Sequence, residues 1–126
     1  MTSTPLTVSE VLDLGALTIR SRRRTDVHLL ALDGELDLAG ATGVEAALVA
    51  IEAAARPADS VVVDLRGLTF IDSTGLRLLI EASNRAQTAT YRLRLLRPKH
   101  SVFRVCVIAG IDTLLPFEHA PGDADG

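Results

Sequence analysis

Ser60-Val61-Val62-Val63-Asp64-Leu65, followed after a loop through Gly67 by Phe70-Ile71-Asp72-Ser73-Thr74-Gly75-Leu76, decides the fold of this chain. The first run is short, β-branched and uninterrupted, the pattern of a central strand covered on both faces. The second ends in acidic and hydroxyl residues, which are helix N-caps, and Leu76, Leu79, Ile80 and Ser83 follow at helical spacing. A helix therefore starts at Asp72 or Ser73, with Arg77, Glu81 and Arg85 spaced for i,i+4 charge pairs on its outer side. A buried strand feeding a helix is the repeating unit of an α/β domain.

Working outward, Val44, Ala47, Leu48, Ile51 and Ala55 share one helical face within Leu38 to Ala55, and Pro57 lies just beyond the end. Upstream, residues 16–24 alternate as a half-exposed strand, and Thr25-Asp26 turns the chain into a second strand over Val27 to Leu32. Arg20, Arg22, Arg23 and Arg24 then sit at a solvated hairpin end that discourages edge pairing. Downstream, 92–97 reads as a strand, Ser101 to Ala109 as a short helix ended by Gly110, and Thr113 to Phe117 as a last strand. Residues 1–15 read as an N-terminal extension with a short helical turn near Ser9 to Leu12, and 118–126 as a flexible tail. The expectation is one domain over 16–117, a mixed β-sheet of about four to five strands with helices packed against it.

Composition narrows the function. At 126 residues and 13.4 kDa the chain holds one core, and 48% hydrophobic with 23% charged residues is ordinary globular usage. Three Phe, one Tyr and no Trp leave no aromatic platform for stacking bases, and a net charge of −3 gives no pull toward nucleic acid or anionic membranes. Cys106 is the single cysteine, so neither an internal disulfide nor a thiolate zinc cluster can form, which fits a reducing compartment. The start of the chain has no secretion-signal pattern, and no apolar run approaches the roughly 20 residues of a membrane span, so a cytoplasmic location is expected.

Enzyme chemistries fail one by one. Thr74 separates Ser73 from Gly75, which breaks the Asp-Ser/Thr-Gly spacing of a dimeric aspartic protease. Ser73 has Ile71 two residues before it, where a hydrolase elbow needs Gly. His28, His100 and His119 show neither ligand nor triad spacing, and neither Gly67 nor Gly75 has the setting of a phosphate-cradling loop. No catalytic residue, metal ligand or cofactor follows.

Two corners remain. At Asp72-Ser73-Thr74-Gly75 one side chain caps the helix; if that is Ser73, Ser73→Ala costs about 1 kcal/mol. A hydroxyl at an exposed helix start is also reachable by another protein's active site. A phosphate there would meet free backbone N–H groups and the positive end of the helix dipole, so the fold would tolerate it. A partner docked on that corner would not, because the group adds about 1.5 to 2 negative charges. Asp33-Gly34-Glu35-Leu36-Asp37 reads as a turn plus an N-cap, or as carboxylates at the same end of the sheet as Ser73, placed to dock a basic partner.

Together, Gly34-Glu35-Leu36-Asp37, the Val-rich strand ending in Asp64-Leu65, Phe70 to Leu76, and Ala109-Gly110-Ile111-Asp112 resemble the STAS domain of bacterial anti-sigma factor antagonists, over roughly Ala16 to Phe117. The resemblance implies a substrate and binder that is not an enzyme. Such a protein binds an anti-sigma factor serine kinase, which holds the ATP, and thereby frees a sigma factor. Phosphorylation of Ser73 switches it off, with Thr74 as the backup hydroxyl, and a phosphoserine phosphatase restores it. Partner-binding positions carried over are Asp37, Glu35, Asp72, Gly75 and Arg77. The chain departs from the pattern where Arg77 replaces a second small residue and where no C-terminal helix follows Phe117. One layer is then left thinner, for the extension or a second copy to cover, and the expected state is a monomer or weak homodimer. The other readings are a STAS scaffold subunit of a larger signalling or transporter-associated assembly, and a small-ligand or nucleotide-binding STAS module.

Overall fold

The computed structural model describes residues 7–119. In chain order the elements are β1 (Thr7–Asp13), β2 (Leu17–Arg24), β3 (Val27–Leu36), α1 (Leu38–Ala54), β4 (Ser60–Ile71), α2 (Ser73–Ala86), β5 (Arg92–Leu96), α3 (His100–Ile108) and β6 (Phe117–Glu118). The strands lie in the order β1-β2-β3-β4-β5-β6, antiparallel from β1 to β3 and parallel from β3 to β6. Each helix therefore connects two adjacent parallel strands, and right-handed crossovers advancing in one direction put α1, α2 and α3 on the same face.

That face is the core. Leu30 and Leu32 of β3, Val61, Val63 and Leu65 of β4, and Leu93 and Leu95 of β5 form one cluster with Val44 and Leu48 of α1, Leu78 and Leu79 of α2, and Val102 and Cys106 of α3. Burying each of the larger aliphatic side chains contributes about 1.5–3 kcal/mol. Val62 and Leu96, on the opposite face, form a small separate cluster with Val27 and Leu29 and no helical residue. Here the structure corrects the expectation of a strand covered on both faces. Helices cover one side of β4; on the other, Val62 packs with Leu96 of β5 and with Val27 and Leu29 of β3.

Several boundaries also differ. The stretch expected to be an extension with a helical turn is, from Thr7, a full edge strand paired from Thr7↔Arg24 to Asp13↔Thr18. β1 is thus a strand beyond the four to five expected, and its exposed Val11 and Leu12 explain why no core pattern marks it. Asp33 to Leu36 continues β3 through a bulge at Gly34, whose φ of +110° suits glycine, so it is not a turn. The expected loop through Gly67 is likewise strand: Gly67 pairs with Asp33, and a Cβ there would collide with the Asp33 carboxylate. The last strand shrinks to Phe117–Glu118, Thr113 to Leu115 being a turn. Glu118, assigned to the flexible tail, is held in the sheet by an ion pair to Arg94 at 2.7 Å, and residues 120–126 of that tail lie outside the described residues.

Arg85 does not pair along its own helix. It reaches across to α1, where it grips Glu52 at 2.8 and 2.9 Å and Glu45 at 3.2 Å. The network ties α1 to α2 and holds in place the surface between them.

Candidate functional site: the shared end of the first two helices

The parallel register pairs Leu36 with Ile71, so the next residues of each strand, Asp37 and Asp72, stand side by side as the N-caps of α1 and α2. The Asp37 carboxylate accepts the backbone N–H of Ala39 (3.1 Å) and Gly40 (3.3 Å). The Asp72 carboxylate accepts the N–H of Gly75 at 3.0 Å. The Asp72 N–H donates to Leu36 O at 3.2 Å, prolonging the ladder into the corner.

Asp72 is thus the cap, and Ser73 follows as the first residue of α2, exposed. Its hydroxyl makes no hydrogen bond to the described residues. The alternative in which Ser73 does the capping is corrected: an extended Asp one residue earlier brings a stronger acceptor to the same amides. Gly75 is buried. A Cβ there would lie 2.7 Å from Ile71 Cγ1 and 2.9 Å from both Leu36 Cγ and Leu36 O, so glycine lets the first turn of α2 sit directly on β3. It shapes the corner from beneath and offers no surface.

Arg77, exposed one turn after Ser73, forms with Glu81 a ridge between two open grooves. On one side, about 560 Å³ is lined by Ser73, Leu76, Ile80, Asn84, Ala109 and Ile111 along with the ridge. On the other, about 450 Å³ is lined by Thr74, Leu78, Ala41, Thr42, Glu45 and Ala46. Ser73 and Thr74 therefore open onto different grooves. No carboxylate among the described residues lies within ion-pair distance of Arg77, although Glu81 is i,i+4 from it. Glu35, exposed, pairs in register with Phe70, itself 48% exposed beside the corner. Leu38 (73% exposed) and Ile108 (78%) were not singled out from the sequence, and Phe70 was read only as part of its motif; exposed apolar side chains carry no periodicity signal.

The histidines are apart from this site. His28 is buried at the other end of the sheet, its Nε2 3.0 Å from Asp59 Oδ2. His119 Nε2 lies 3.0 Å from Arg97, and His100 opens α3. Cys106 is buried, and burial pushes its thiol pKa up. Among the described residues no group of three His, Cys, Asp or Glu side chains is placed to hold a metal, and no helix is long and apolar enough to cross a membrane.

The family described as "Mlab, STAS domain" matches residues 19–116, most of the chain and every element bearing on this corner. The chain belongs to the STAS domain family. Among curated protein sequences none matches it. Solved structures extend the likeness over the whole STAS fold. An anti-sigma factor antagonist from Mycobacterium paratuberculosis superposes with a TM-score of 0.69 at 23% identity, covering 98% of this chain and 95% of that one. The anti-sigma factor antagonist SpoIIAA in its unphosphorylated form gives 0.60 at 20% identity, over 91% of this chain and 90% of that one. The phosphorylated form of this Bacillus cell fate determinant gives 0.55 at 18%, over 91% and 93%. The murine anion transporter Slc26a9 gives 0.66 at 15%, with 94% of this chain matching 21% of that one. At these identities the likeness is one of fold, and this STAS domain's role has to be argued from its own corner.

Proposed function

We propose that this STAS domain is an anti-sigma factor antagonist: it binds a kinase-type anti-sigma factor, releases a sigma factor, and is switched off by reversible phosphorylation of Ser73. The observation that carries the reading is the division of labour at the corner. Asp72 caps α2, which leaves the Ser73 hydroxyl exposed, without a hydrogen-bond partner among the described residues, and at the mouth of a groove. A phosphate on it would meet the positive end of α2, and Arg77, four residues on, is the nearest cation on that helical face. The fold would stay intact while a docked partner met new charge and bound water. ATP belongs to the partner kinase, a phosphoserine phosphatase reverses the mark, and this chain acts in the cytoplasm as substrate and binder, not as an enzyme. Asp37, Glu35, Asp72 and Arg77 form the contact surface, with Gly75 supporting it and Thr74 as the backup hydroxyl. Solved anti-sigma factor antagonists share this fold, which supports the antagonist reading.

The test is a paired capture from host lysate with Ser73→Ala and Ser73→Glu proteins as baits, read by mass spectrometry. An ATP-binding serine kinase held by the Ala form and lost with the Glu form supports the switch. The same proteins on both baits would instead favour a STAS scaffold subunit within a larger assembly, a reading suggested by the likeness to a small part of an anion transporter.

A further inference from the structure

The strand register arranges the helix-free face of the sheet in rows. One row is Arg24, Val27, Ser60 and Arg92; the next is Arg22, Leu29, Val62 and Arg94; the third is Arg20, Ala31, Asp64, Leu96 and Glu118. Read along the strands, this gives Arg20, Arg22 and Arg24 on β2, the apolar run Val27, Leu29 and Ala31 on β3, Val62 between Ser60 and Asp64 on β4, and Arg92 and Arg94 before Leu96 on β5. A sheet with one solvated face normally places polar residues there, yet Val27, Leu29, Val62 and Leu96 make a cluster of their own.

Charge on this face is uneven. Arg20 lies 4.0 Å from Asp33, Arg94 holds Glu118 and Arg66 holds Asp64 at 2.9 Å. Arg22, Arg24 and Arg92 are exposed and form no ion pair among the described residues, although Arg92 is near enough to Glu118 to help lower its carboxyl pKa after the hydrogen bond from Arg94. In a chain of net charge −3 this is a local excess of positive charge, at the opposite end of the sheet from Ser73.

We propose that this face docks an acidic amphipathic helix of a partner protein, its apolar side on Val27 and Leu29 and its carboxylates on Arg22 and Arg24 at one flank and Arg92 at the other. The flanks are three strand spacings apart, about 14 Å, and a helix with its side chains is about 10–12 Å across. Val27 and Leu29 are partly buried between the two flanks, so a ligand that met the arginines alone would leave this apolar surface uncovered. Charge complementarity sets the partner's sign, and the apolar run sets its shape.

The probe is a fluorescein-labelled synthetic peptide of roughly 18 residues, long enough to hold a helix, with Leu and Ala on one face and Glu on both flanks. Anisotropy titrations compare it with a scrambled peptide of the same composition, with phosphatidylglycerol vesicles and with a single-stranded oligonucleotide. Saturable binding that weakens with salt is expected, reduced about tenfold or more by combined Arg22→Glu, Arg24→Glu and Arg92→Glu. Leu29→Gln, or the milder Leu29→Ala, also weakens it, whereas Arg104→Glu on α3 and Ser73→Glu leave it unchanged. Absence of binding, equal binding of the scrambled peptide, binding confined to vesicles or oligonucleotide, or indifference to Leu29 would each overturn the proposal.

Discussion

Asp37 and Asp72 are structural counterparts: each follows one member of the Leu36–Ile71 pair of β3 and β4, and each turns an extended backbone into a helix by accepting its first free N–H groups. Two capped helix starts thereby share one end of the sheet. Because both carboxylates are occupied with backbone donors, the hydroxyl group of Ser73 is left for other chemistry.

This division of labour is measurable. Asp72→Ala should lower stability by about 1 kcal/mol, whereas Ser73→Ala should change it by no more than a few tenths. Urea unfolding of both variants decides it; a loss of equal size in Ser73→Ala would make Ser73 part of the cap.

Gly75→Ala should cost about 1–3 kcal/mol, because its Cβ enters a space already held by Ile71, Leu36 and a carbonyl oxygen of β3. If α2 shifts to relieve the clash, the partner binding proposed at Ser73 should drop as well. An unchanged melting temperature would show that the corner is looser than its distances.

Acid should weaken the fold through Asp59. The Arg56 N–H (2.9 Å), and after it the His28 ring (3.0 Å), hold the Asp59 carboxyl below its ordinary value near 3.8. A carboxylate with a depressed folded pKa contributes stability that is present above the unfolded value and is lost as pH falls through the lower folded one. Stability should therefore decline below about pH 4. Asp59→Asn should be less stable at neutral pH and should flatten this acid limb. Unfolding curves at a series of pH values test it, and an identical slope in both proteins would exclude Asp59 as its source.

Thr25, at the β2–β3 turn, has a φ of +53°, where a β-branched residue is strained. Thr25→Gly should raise stability by about 1 kcal/mol, read as a higher denaturation midpoint. A lower midpoint would mean that glycine's added freedom in the unfolded chain outweighs the strain relieved.

The helices and the corner were legible in the sequence because their signals are local. Apolar spacing marked α1 and α2, the β-branched run marked the buried part of β4, and Asp before Ser-Thr-Gly marked a helix start. What was not legible depends on partners far along the chain. β1 is a strand because β2 offers it an edge, not because Thr7–Asp13 has a core pattern. Gly34 and Gly67 read as loop residues in isolation; the β3–β4 ladder absorbs both, one as a bulge and one against Asp33. Arg85 has a suitable neighbour on its own helix but pairs with Glu52 and Glu45 across the interface, where partial burial strengthens the contact. Periodicity and caps are written within a few residues of each other, so the sequence by itself determined the helices, the central strand and the capped corner that carries Ser73. Sheet edges, the face left without helices and the pairing of charges arise only when distant segments meet, and these the tertiary structure decided.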